Sequence, residues 1–116
     1  MRVGVLADIS AGRNHHLEIL LKQKDEIVLG RKTREGKADL YLGDGPLVAC
    51  QELALQSVSR EHATLRYHGG KLYLRDCSQN GTKVNGQSLG KDQKIINVKD
   101  ILFFGSYGPV ICISEK

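Results

Sequence analysis

At 116 residues the chain is sized for one domain, expected to span 1–116 and to bury roughly two-thirds of the surface its unfolded form exposes. Apolar residues at 41% and charged residues at 26% are ordinary for a globular fold, and no apolar run approaches the ~20 residues of a membrane-spanning helix, which argues against a membrane partner. The net charge of +4 favours an anionic partner, but no run of four Lys or Arg occurs and aromatics are only 5%, which counts against nucleic acid.

The start of the chain, interrupted by Asp8, Arg13, His15 and His16, lacks a secretory signal pattern. Cys50, Cys77 and Cys112 are odd in number and widely spaced, fitting neither a disulfide framework nor a CxxC metal site. A reducing intracellular setting is the expectation, and the Asn80-Gly81-Thr82 sequon is read as coincidence.

Taken in chain order, short stretches of alternating apolar and polar residues predict strands over 2–7, 16–21, 26–30, 39–42, 63–67, 71–76, 83–84, 101–104 and 110–114. Turn residues separate them: His68-Gly69-Gly70, and Asn85-Gly86, the pair best suited to the positive φ angles of a type I′ hairpin. The pattern is that of an all-β sandwich in two sheets. One segment breaks the rhythm. The spacer 43–58, with Pro46 and the run CQELALQ, is compatible with a turn of helix, a strand or an ordered loop, and its length marks it as an insertion.

Polar and basic residues gather at the predicted strand ends. Gly30-Arg31 is followed by Val58-Ser59-Arg60-Glu61-His62-Ala63, then by Asp76-Cys77-Ser78-Gln79-Asn80-Gly81-Thr82 and Val84-Asn85-Gly86. In order and spacing this series resembles the signature of the forkhead-associated (FHA) domain: GR, SxxH, and NGT followed by VNG. The resemblance runs from about residue 27 to 113. It implies a β-sandwich of about eleven strands in two sheets, with loops at one end that grip a phosphothreonine in an extended peptide.

The residue chemistry suits that expectation. A phosphothreonine carries about −1.5 to −2 charges and three strong acceptor oxygens, so its receptor needs a guanidinium and hydroxyl donors in a fixed array. Arg31 offers the planar fork, Ser59 its Oγ and backbone N–H, and Arg60 further charge from the same loop. The amide of Asn80 has a donor and an acceptor for peptide main chain, and the resemblance assigns it that role. Gln79 stands beside it as a further peptide contact, at a position where relatives often carry a hydroxyl. Gly30, His62, Gly81, Thr82, Asn85 and Gly86 are read as structural support of the site, with His62 bonding inside the fold to hold the Ser59 loop. Some FHA domains of checkpoint kinases carry an enlargement comparable to the insertion before SxxH.

Competing readings are weaker. His15-His16 has no Cys or carboxylate at ligand spacing, so no metal is expected. The segment GRKTREGKA has the outline of a nucleotide phosphate loop, but five residues rather than four separate its glycines and Ala38 stands where Ser or Thr would bind magnesium. No nucleophile and base stand out, because Ser59 and His62 belong to the binding motif; neither catalysis nor a cofactor is expected. The leading reading is a phosphothreonine-dependent binding module recruiting a phosphorylated partner in intracellular signalling, by family analogy nuclear and in the DNA-damage response. The alternatives are a phosphate-independent interaction or dimerisation module and a nucleic-acid binder.

Overall fold

The computed structural model describes residues 5–8, 13–16, 25–36, 38–43, 56–106 and 108–114. Eleven strands appear among them: β1 (Val5–Asp8), β2 (Arg13–His16), β3 (Glu26–Gly30), β4 (Leu40–Tyr41), β5 (Ala63–His68), β6 (Lys71–Asp76), β7 (Thr82–Val84), β8 (Gln87–Ser88), β9 (Lys94–Ile96), β10 (Ile101–Phe104) and β11 (Val110–Ser114). They form a six-stranded sheet of order β2-β1-β11-β10-β7-β8 and a five-stranded sheet of order β4-β3-β5-β6-β9. All neighbours are antiparallel except β3 and β4, which run parallel over Leu29↔Leu40 and Gly30↔Tyr41.

Period-two alternation builds the core between the sheets. In the five-stranded sheet Ile27, Leu29, Ala63, Leu65, Leu72, Leu74 and Ile96 turn inward; in the other, Val84, Leu102, Phe104, Ile111 and Ile113 do. Register brings these residues opposite one another, as in Ile27↔Leu65↔Leu74 and Val84↔Leu102↔Ile111. Burying each large apolar side chain stabilises the fold by about 1.5–3 kcal/mol, and together they fix the register, since a one-residue slip would turn every one of them outward.

The all-β sandwich agrees with the sequence reading, as do β3, β6, β10 and β11 at their stated bounds. Two strands were not anticipated. β8 is two exposed polar residues, and β9 is anchored only by buried Ile96, so neither has enough alternation to be recognised. β2 ends at His16, where the predicted strand 16–21 begins; residues 17–21, like 44–55 of the spacer, lie outside those described. The β7–β8 hairpin turns through Asn85 (φ 52°) and Gly86 (φ 84°), both left-handed as a type I′ turn requires.

The end of β3 is stitched to the turn that precedes β5. Arg31 N–H donates to the Ser59 carbonyl (3.1 Å), and His62 N–H donates to the Leu29 carbonyl (2.8 Å). Gly30 lies between these bonds, and a Cβ there would be driven into the carbonyl of Arg60. Its requirement is close approach of two backbones rather than an unusual φ.

Gly30→Ala is therefore expected to cost about 1–3 kcal/mol, the usual penalty of overpacking. Urea unfolding should show a lower midpoint with an unchanged slope. An unchanged midpoint would mean that the 59–62 turn yields without cost.

Candidate functional site

Three connections meet at one end of the sandwich: residues 31–36 after β3, 56–62 before β5, and 77–81 between β6 and β7. They enclose an open cleft of about 430 Å³ lined by Arg31, by Gln56, Val58, Ser59, Arg60 and Glu61, and by Cys77, Gln79 and Asn80. Five residues proposed from the sequence as ligand contacts, Arg31, Ser59, Arg60, Gln79 and Asn80, thus share one cavity although they span 50 positions of the chain, from 31 to 80.

His62 joins two of these connections. Its side chain is fully buried, and its ring meets Phe104 edge-on at 5.5 Å. The Ser59 backbone N–H donates to Nδ1 (3.0 Å), which leaves Nε2 to carry the proton and donate to the Gly81 carbonyl at 2.9 Å. Only the neutral imidazole with its proton on Nε2 satisfies both partners. Burial pushes its pKa below the ordinary histidine value of 6.5, against the opposing pull of the Gly81 carbonyl and the Asp76 charge. The Ser59 N–H, expected from the sequence to join Oγ at a phosphate oxygen, is thus engaged by His62, while the hydroxyl stands at the cleft.

A carboxylate shapes the third connection. Asp76 Oδ1 accepts from the Ser78 N–H (3.1 Å), the Ser78 hydroxyl (2.6 Å) and the Thr82 hydroxyl (2.9 Å), and Ser78 Oγ in turn accepts from the Gly81 N–H (2.8 Å). Residues 77–81 are thereby wound around one oxygen, with Gly81 at φ 90°. Thr82 is 2% exposed, so its hydroxyl needs this partner. The sequence reading assigned Asp76 no role; its signal was a carboxylate immediately before a loop with hydroxyls two and six residues on.

Further bonds connect the loops across the cleft. Gln79 N–H donates to Ser59 Oγ (3.2 Å), which leaves the Ser59 hydroxyl proton for another acceptor. Asn80 Nδ2 donates to the Ser57 carbonyl (2.9 Å), so one amide hydrogen serves the fold, and among the described residues no bond engages the amide oxygen. Ser57, also not foreseen, accepts at Oγ from the Ser106 N–H (3.0 Å), fastening this connection to the end of β10. Among the described residues no carboxylate pairs with Arg31, whereas the exposed Arg60 lies 3.7 Å from Glu35.

Two residues named as support stand elsewhere. The Asn85 side chain donates to Asp100 Oδ1 and accepts from the Ile101 N–H, both at 2.9 Å. This places Asn85 and Gly86 at the far end of β7 from Gly81, where Asn85 secures the start of β10.

The His62 geometry carries a pH dependence of defined sign. Its folded-state pKa lies below its unfolded value, so as pH falls through 6.5 the unfolded chain takes up a proton that the folded chain refuses. His62 thus costs no stability well above that pH and progressively more below it, until the folded-state pKa is reached. Between pH 7.5 and 5.5 the native chain should lose more unfolding free energy than His62→Gln, measured in urea; equal losses would show that the ring is not held neutral.

A family model for the FHA domain matches residues 9–105. Among solved structures, the chain is similar to the N-terminal FHA domain of S. cerevisiae Rad53p in complex with a phosphothreonine peptide (21% identity, TM-score 0.71, covering 98% of this chain and 94% of that one). It is similar also to the FHA domain of CT664 from Chlamydia trachomatis (20%, 0.68, 97% and 96%). A third FHA domain, characterised for phosphothreonine-dependent interactions, gives 24%, 0.68, 97% and 95%. Comparison with curated protein sequences gives no match. At these identities the structures speak for the fold alone, and the family model, which covers most of the chain, decides its kinship: this chain belongs to the FHA domain family.

Proposed function

We propose that the chain is a non-catalytic reader of phosphothreonine in an extended peptide, recruiting a phosphorylated protein partner. The observation that carries this reading is the convergence of Arg31, Ser59 Oγ and Asn80 on one cleft whose loops are held together by bonds from Ser59, Gln79 and Asn80. Arg31 supplies the charged fork for the phosphate, and Ser59 donates its hydroxyl proton to a second phosphate oxygen. Arg60 adds charge from the rim, partly engaged by Glu35. Asn80 presents its amide oxygen and remaining amide hydrogen to the peptide main chain, with Gln79 alongside.

Val58, buried yet lining the cleft beside Ser59, offers an apolar contact for the threonine methyl. The proposal extends to an intracellular setting, supported by Cys77 and Cys112 standing as free thiols. A nuclear role in the DNA-damage response is its narrowest form and rests on family analogy.

Arg31→Ala is expected to weaken a phosphothreonine peptide at least tenfold by calorimetry, about 1.4 kcal/mol, from loss of a charge-assisted contact. Arg60→Ala should cost less, since its guanidinium is exposed and already shared. Equal affinity of native and Arg31→Ala protein, or of phosphorylated and unphosphorylated peptide, would remove the phosphate from this site. Replacing phosphothreonine by phosphoserine should cost about fivefold or more, the worth of a packed methyl; no preference would mean that Val58 does not receive it.

A further inference from the structure

Arg60 and Glu61 are consecutive, yet they serve different walls of the cleft. Arg60 reaches toward residues 31–36, where it meets Glu35 at 3.7 Å. Glu61 also lines the cleft, and its neighbour His62 accepts at its carbonyl from the Cys77 N–H (2.8 Å), which sets Glu61 beside the wall formed by residues 77–81. The cavity is thus polarised, cationic at Arg31 and Arg60 and anionic at Glu61. Asp76 turns its Oδ1 into its own loop, and among the described residues no Lys or Arg forms an ion pair with Glu61.

An acidic side chain lining a phosphate cleft opposes the ligand's charge unless the ligand brings a cation to it. Complementary charges across an interface act mainly on specificity and register, rejecting like-charged partners. On the phosphothreonine reading above, we propose that Glu61 selects peptides carrying Lys or Arg close to the phosphothreonine, on the side facing Cys77, and disfavours acidic residues there. An extended peptide advances about 3.3 Å per residue, so a basic residue that shares this cleft with the phosphothreonine is one of its near neighbours in the peptide. The phosphate on Arg31 and the cation on Glu61 together fix the direction in which the peptide lies. Chemically, the ligand class is a phosphothreonine in a basic context.

The test is a scan of phosphothreonine peptides with a neutral background, in which Lys or Glu is placed at each of the flanking positions in turn. Affinities are read by fluorescence anisotropy for the native chain, Glu61→Gln and Glu61→Lys, with unphosphorylated peptides as controls. At one or two positions the native chain should prefer Lys to Glu by about two- to fivefold, the worth of one exposed ion pair. That ratio should shrink with added salt, fall to about one in Glu61→Gln, and invert in Glu61→Lys. A ratio of one at every position in the native chain, or a ratio that survives in Glu61→Gln, overturns the proposal while leaving the phosphothreonine reading in place. Failure of every phosphopeptide to bind better than its unphosphorylated control overturns both.

Discussion

The neutral imidazole of His62 is the tie on which the binding end of this domain depends. It accepts from Ser59, in the turn leading into β5 of the five-stranded sheet, and donates to Gly81, which leads into β7 of the six-stranded sheet. One buried ring therefore sets the spacing between two loops that belong to different layers. A cation at this position would carry two donors and confront the Ser59 N–H with a third, leaving a buried donor unpaired at a cost of about 1–3 kcal/mol. The apolar setting beside Phe104 enforces the neutral form.

Around that tie, the N–H groups of Ser59, Gln79 and Gly81 are held within the fold, while side chains of the same loops line the cleft. Ser59 shows the division within one residue, its N–H held by His62 and its hydroxyl accepting from Gln79 while retaining a proton. Asn80 shows it within one amide, anchored through Nδ2 to Ser57. Asp76 does the same for a whole loop, binding two hydroxyls and a backbone N–H with a single oxygen. Groups fixed in this way have little further conformational entropy to lose, which is the preorganisation that the proposed binding requires.

The charges of Arg60 and Glu61 lie outside this framework, and in the reading proposed above they set preference. The turn 59–62 sends Arg60 toward the loop after β3 and sets Glu61 beside the loop before β7. Adjacent residues of opposite sign thereby give the cleft a direction, which uniform positive charge would not. The turn that carries these charges is pressed against the end of β3 at Gly30.

Much of this was legible in the chain. Alternation at 26–30, 71–76, 101–104 and 110–114 dictated strands, because a half-buried strand must place apolar groups at every second residue. The GR, SxxH and NGT motifs named the residues that meet in the cleft. β8 and β9 were not legible, since two or three residues contain too little alternation and owe their pairing to neighbours already in place. Nor were the roles of Asp76 and Ser57, or the distance of Asn85 and Gly86 from the cleft, because a motif preserves order along the chain and not position at one end of a strand or the other. The sequence by itself determined the sandwich, the family and the chemical groups available for a ligand. Only the tertiary structure decided which of those groups remain available, because a donor such as the Ser59 N–H is either spent or spare according to what packs against it, and its partner His62 is positioned by the sandwich as a whole.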